Sequence, residues 1–286
     1  MADKGVATGT QRAPVVTVEM QLARLRNLTD LLKQAGITGP VAGAGEQPST
    51  ATPRAAEGAY YIDDYVDECI DIDESVDGHL VRRDIVEDRK GVPLDLRITV
   101  LDAVRRIPIG DAAGSVWHAD ALGWYSGHLA DNPDVFALDA HPEVAHSLNL
   151  HIPPSDSSRF LRGLQRTDDR GVVEFRTIYP GWYYGRAIRI HMKVRVDGRE
   201  VYTGQSYFPE EYNRIVAILS PYREHTTLER MTNELDPIYQ MGGRQTTLAV
   251  EPVSPGKPEL GLRASITVAI APGSTSPKRA DLGQRT

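Results

Sequence analysis

The sequence predicts an all-β core, an antiparallel sandwich or barrel, with an N-terminal helix and short peripheral helices. Three observations predict it. Leu94, Leu96, Ile98 and Val100 alternate with Asp95, Arg97 and Thr99, the period of two that half-buried strands show. Val173, Phe175, Thr177 and Tyr179 repeat the pattern, and Ser115–His118, Arg186–Val196, Glu200–Gln205 and Arg263–Ile270 read as further strands. Turn signals such as Asp168-Asp169-Arg170-Gly171 and Asp197-Gly198 stand between them, as hairpins require.

Around this core the pattern changes. Thr17 to Ala35 carries Met20, Leu22 or Ala23, Leu25, Leu28 and Leu31 or Leu32 at helical spacing, with Gly36 as a stop, an amphipathic helix whose apolar stripe covers either the core or a second copy of the chain. Gly36 to Ala56 is rich in Gly, Pro, Ala, Thr and Ser and reads as a linker, so residues 1–56 are taken as helix plus linker,. The β-domain is assigned to 57–271, and 272–286 reads as a disordered tail,. A second helix is expected over Pro209–Leu219, with Glu210 and Glu211 in its first turn,.

Composition narrows the function. With 41% hydrophobic and 25% charged residues over 286 positions, the chain falls among globular proteins and not among disordered ones. Lys and Arg number 32 against 39 Asp and Glu, a net charge of -7 with no basic block, which argues against nucleic acid as a partner. No apolar run reaches the ~18 residues that a spanning helix needs, so no membrane partner is expected. Cys69 is the one cysteine, so any metal would be held by His, Tyr or carboxylate. The N-terminus has no charged start followed by an apolar run, and a cytoplasmic location is the expectation,.

Two segments concentrate chemistry-bearing groups. Thr177 to Arg186 crowds aromatics and glycines into one turn and runs into a strand on which Arg189, His191, Lys193 and Arg195 share a face,. That face is either a solvated basic surface or one wall of a site. Trp117 to His128 holds two His, two Trp and a Tyr within twelve positions, either a buried aromatic corner or a ligand-bearing loop.

The order WHADALGWYSG, FLRGLQRTDDRGVVEFRTIYPGWYYGR, the strand to His191, VYTGQSYFPEE and RMTNELDPIY, preceded by EGAYYID and LVRRDIVEDRKGVPLDLRITV, resembles the intradiol ring-cleavage dioxygenases, in particular their secreted actinobacterial-type branch. The likeness runs from about Glu57 to Ile270. It implies a transthyretin-like β-sandwich and a non-haem ferric ion, held by two tyrosines and two histidines, that cleaves catechols with dioxygen. On that resemblance Tyr125 and Tyr183 are the tyrosine ligands, Tyr183 also serving as the dissociating base. His191 is the second histidine of an H-x-H pair, Arg186 flanks the substrate, and Gln205 is an active-site glutamine that with Arg186 stabilises developing negative charge.

One departure stands out, because the place of the first histidine is taken by Arg189. Guanidinium keeps its proton, has no acceptor lone pair and does not ligate cations. Tyr125, Tyr183 and His191 remain as metal ligands, and His118, His128, His141, His146 and His151 are candidates to replace the lost one. Arg189 itself suits an anionic group. Where the resemblance leads one to expect two cysteines the chain has Arg106 and Ala119, in keeping with a reducing compartment. The acidic stretch Asp63 to Asp77 reads as an exposed loop or an insertion near the mouth of the site. The expected activity is Fe(III)-dependent intradiol cleavage of a catechol or other ortho-hydroxylated aromatic, with dioxygen as co-substrate and an altered coordination sphere. The alternative is metal-free acid–base or cyclisation chemistry on a phenolic or polyketide-like substrate, and beyond it a non-catalytic binding protein. The N-terminal helix makes a homodimer conceivable.

Overall fold

The computed structural model describes residues 14–34, 51–62, 80–142 and 151–271. Cys69, Asp63 to Asp77, His146, the C-terminal tail and most of the linker lie outside them. The core is a sandwich of two four-stranded sheets. One contains β1 (Pro93–Asp102), β4 (Val172–Ile178), β7 (Ala249–Pro252) and β8 (Leu262–Ile270) in the order β4-β1-β8-β7. The other contains β2 (Ala113–Trp117), β3 (Arg162–Arg166), β5 (Arg189–Val196) and β6 (Arg199–Tyr207) in the order β3-β2-β5-β6.

The alternation read from the sequence becomes burial in the first sheet. Leu94, Leu96, Ile98 and Val100 point inward, and the first three pair with β4, Leu96 opposite Phe175 and Ile98 opposite Val173. Val116, Ile190, Met192, Val194 and Val201 close the core from the second sheet. The expectation of purely antiparallel pairing needs correction, because β1 and β8 run parallel. β8 returns to the sheet after the long excursion that follows β6 and is joined to β1 by no hairpin, so its direction is free. β3 and β7 were not expected: β3 is flanked by arginines and interrupted by Gly163, and β7 is a four-residue edge.

The larger correction concerns β5. Its Arg189, His191 and Lys193 are as buried as its apolar residues, so the reading of a solvated basic face fails. The cover comes from residues 51–62, which lie as a strap across the outer face of the second sheet. Thr52 N donates to Ala269 O at 2.8 Å, Ala55 N to Thr203 O at 3.0 Å, and Gln205 Nε2 to Ala56 O at 2.7 Å. The last six residues of the expected linker therefore belong to the core.

Helix α1 (Val18–Gln34) begins at Thr17, whose Oγ1 accepts from Met20 N at 3.3 Å, an N-cap bond. Its inward register is not the expected one, since Met20 is 56% exposed and Gln21 fully buried. Gln21 Nε2 donates to Glu229 O and its Oε1 accepts from Gly185 N, both at 2.8 Å. Two backbone hydrogen bonds, one of them fully buried, thus outweigh one methionine in setting the rotation of the helix,. The side chains of Leu28, Leu31 and Leu32 lie outside the described residues. Short helices α2 (Ala137–Ala140), α3 (Glu210–Ala217) and α4 (Pro237–Gln240) edge the sandwich, and α3 is the helix expected over Pro209–Leu219. Among the described residues no helix is long and apolar enough to cross a membrane.

Replacing Gln21 by Ala leaves the Gly185 amide and the Glu229 carbonyl unpaired and is expected to cost about 1–3 kcal/mol. A lowered thermal midpoint, with faster hydrogen exchange at Gly185, would show it.

Candidate functional site

Two turns at one end of the second sheet are pressed together and carry the tyrosines. After β2, Asp120 Oδ1 accepts from Leu122 N at 2.9 Å and Trp124 N at 3.0 Å, a side-chain-closed turn that ends at Tyr125,. Gly181 N donates to Asp120 O at 2.9 Å, and a Cβ at Gly181 would fall 2.4 Å from Ala121 O. Only glycine allows that approach, and it sets Tyr183 beside Tyr125. His191 sits on β5 between Trp117 of β2 and Gln205 of β6. The Trp117 ring stacks on His191 at 5.1 Å and 15°.

Tyr125, Tyr183 and His191 converge as the resemblance implies. The rings of Tyr125 and Tyr183 meet edge to face at 5.5 Å, and Tyr125 and His191 at 6.3 Å. A third tyrosine joins them that sequence reading gave no role: Tyr60, from the strap, stacks on Tyr125 at 4.7 Å and meets Tyr183 at 5.5 Å. Its signal was the EGAYYID segment, quoted for its likeness only. Arg162, also given no role, clamps the assembly. Its Nε donates to Ser126 Oγ at 2.8 Å and its Nη2 to Ser126 O at 2.8 Å and Tyr60 O at 2.9 Å. Gly58 completes the cover, with a left-handed φ of 89° and no room for a side chain, since a Cβ would stand 2.9 Å from His191 Cε1.

The electrostatics divide the arginines. Arg186 is neutralised and braced, with Nε on Asp236 Oδ2 at 2.9 Å and Nη2 on Gln205 Oε1 at 2.6 Å and Tyr207 OH at 3.1 Å. Gln205 is thereby a strut between Arg186 and the strap. Arg189 is 3% exposed. Its Nη1 donates to Ala187 O at 3.0 Å, its Nη2 to the Tyr183 hydroxyl, and its guanidinium lies 4.9 Å from the centre of the Tyr183 ring. Burial, and then the charges of Arg189, Arg186 and Arg162, push His191 well below the usual imidazole range, so it is neutral. Burial, reinforced by Tyr183, raises the Tyr125 hydroxyl.

Of the other described histidines, His118, His141, His151 and His225 have polar partners, whereas both ring nitrogens of His128 are buried without a hydrogen-bond partner. His118 bonds Ala119 O at 2.7 Å and Thr177 Oγ1 at 2.8 Å. His151 pairs with Glu57 at 2.8 Å, and His141 with Asp131. His128 lies 5.2 Å from the Tyr60 ring, and Tyr60 in turn covers Tyr125.

These observations test the ferric ion that the resemblance implies. Two phenol oxygens and a neutral imidazole suit a hard trivalent cation, and one His191 nitrogen is buried without a partner. Against this, a buried guanidinium occupies the fourth place and donates to one of the three donors. The set does not fit the ion as the resemblance describes it, because a fixed positive charge stands where a ligand is required.

An intradiol ring-cleavage dioxygenase from Tetranychus urticae is 30% identical, superposes with a TM-score of 0.64, and is matched over 79% of this chain and 97% of its own. Hydroxyquinol 1,2-dioxygenase from Pseudomonas putida DLL-E4, at 15% identity and a TM-score of 0.51 over 89% of this chain and 84% of its own, shares the fold. No protein-family profile and no curated protein matches the chain.

Burial, chiefly, holds His118 and His128 down at about 4, below the ~6.5 of an unfolded histidine. In the interval between, the unfolded chain binds more protons, so stability present above ~6.5 is lost as pH falls toward ~4. Urea midpoints measured against pH are expected to decline through that window, and His128→Gln to flatten the decline.

Proposed function

Because the chain belongs to the intradiol ring-cleavage dioxygenase family, we propose that it is an enzyme acting on a catechol or related ortho-hydroxylated aromatic, and that it does acid–base chemistry on the substrate hydroxyls. The substrate class comes from the family. The reaction type rests on a single observation, the buried Arg189 guanidinium donating to the Tyr183 hydroxyl.

The residues divide the work simply. Tyr60, Tyr125, Tyr183 and Trp117 supply aromatic faces and edges against which a flat ring packs,. Neutral His191 offers one acceptor and one donor nitrogen, the acceptor able to receive a hydrogen bond from a substrate hydroxyl. Arg189 favours loss of that hydroxyl's proton by stabilising the resulting anion, and its buried position makes that interaction stronger than in water. The Tyr183 hydroxyl, fixed by Arg189, orients the ring or returns a proton to it. Arg186 and Gln205 hold the floor of this arrangement through Asp236 and the strap.

A second reading, Fe(III)-dependent ring opening with dioxygen, is favoured by the survival and convergence of Tyr125, Tyr183 and His191. Iron content, visible spectrum and dioxygen uptake, taken together over a panel of catechols and related phenols, separate the two. The acid–base reading expects turnover that survives chelation and consumes no dioxygen, whereas uptake in proportion to bound iron would establish the second. On either reading the Tyr183 hydroxyl is needed, and Tyr183→Phe is expected to lower turnover by about 100-fold or more, measured with whichever panel compound the wild type converts best.

A further inference from the structure

We propose that the place of the missing histidine is an anion site, in which Arg189 receives an anionic oxygen of an aromatic ligand and the protein binds that ligand without a ferric ion. The inference rests on the reading of an aromatic substrate and adds its charge.

Arg189 is a buried cation short of partners. A guanidinium carries five N–H donors. Here Nη1 and Nη2 have one protein acceptor each, Ala187 O and Tyr183 OH, while Nε is buried with no partner. Two other buried cations nearby are neutralised: Arg186 by Asp236 at 2.9 Å, and Lys193 by Glu57 and by Glu200 at 3.0 Å. No carboxylate among the described residues stands at ion-pair distance from Arg189, and a buried charge calls for an opposite one.

Two further polar atoms at the same place lack partners. His191 Nδ1 and Trp117 Nε1 are both buried and unpaired, on rings stacked at 5.1 Å. Around them stand Tyr60, Tyr125 and Tyr183, which give an aromatic body its contacts. Guanidinium and indole donors without acceptors, beside aromatic walls, match a ring bearing a carboxylate or an ionised phenol, whose oxygen accepts from guanidinium in a charge-assisted bond. The same charge repels a ferric ion.

The test uses the full-length chain treated with chelator, and titrates benzoate, 4-nitrophenolate and the neutral benzyl alcohol. Wild type is expected to bind at least one of the two anions 10-fold or more tighter than benzyl alcohol. A preference confined to benzoate identifies a carboxylate, one confined to 4-nitrophenolate a phenolate. Arg189→Gln should abolish the preference, and Arg189→Lys, which keeps charge but not the fork, should retain part of it. Both are checked for wild-type circular dichroism. In parallel, Arg189→His should gain near-stoichiometric ferric ion with a visible tyrosinate band that wild type lacks. Equal affinity of wild type for all three probes, an Arg189→Gln variant that keeps the preference, or stoichiometric ferric ion in wild type would each overturn the inference. If catechols and phenols are not turned over but Arg189-dependent anion binding persists, the proposed activity fails and the anion site stands.

Discussion

The architecture of the site depends on the burial of both faces of β5. A strand in a sandwich ordinarily gives one face to the core and the other to water. Here Ile190, Met192 and Val194 fill the core while Arg189, His191 and Lys193 are sealed from the other side by residues 51–62. Burying three polar side chains in a row is costly unless each finds a partner. Lys193 finds Glu57 and Glu200, and lies over the Tyr61 ring at 4.0 Å. Burial alone would raise the Glu57 carboxyl, but its bond with His151 and the Lys193 charge outweigh that and hold it at about 2. The middle of the strap is thus fastened by a charge pair, whereas Arg189 Nε and His191 Nδ1 are buried without partners.

This division explains why the tyrosines could be found from the chain and their surroundings could not. Tyr125 and Tyr183 lie in short turns whose glycines and aromatics are visible as motifs. His191 and Arg189 share a face by simple alternation. What the alternation could not tell was whether that face met water, because its cover comes from residues more than 120 positions upstream, in a segment whose composition resembles a linker. Tyr60 and Arg162 were illegible for the same reason. Each acquires its role by reaching a partner remote in sequence, Tyr60 stacking on Tyr125 and Arg162 joining Ser126 to Tyr60.

The fold shows the same limit. β1 and β4 were evident from period two, since each gives one face to the core and one to solvent. β3 and β7 escaped notice because their length and charged flanks carry no such pattern, and they are strands by virtue of the neighbours they pair with. The helix was evident too, but its rotation was not. Gln21 is placed by two backbone groups belonging to residues 185 and 229, which no local apolar spacing encodes.

The strap also joins the two sheets to each other. Thr52 is tied to Ala269 in both directions, its N–H donating to Ala269 O and its Oγ1 accepting from Ala269 N at 2.8 Å across 217 residues of chain. Ala55 and Ala56 are tied in turn to Thr203 and Gln205 of β6. One short segment thus spans from an inner strand of the first sheet to an edge strand of the second, and sliding the sheets apart would uncover His191 and Arg189.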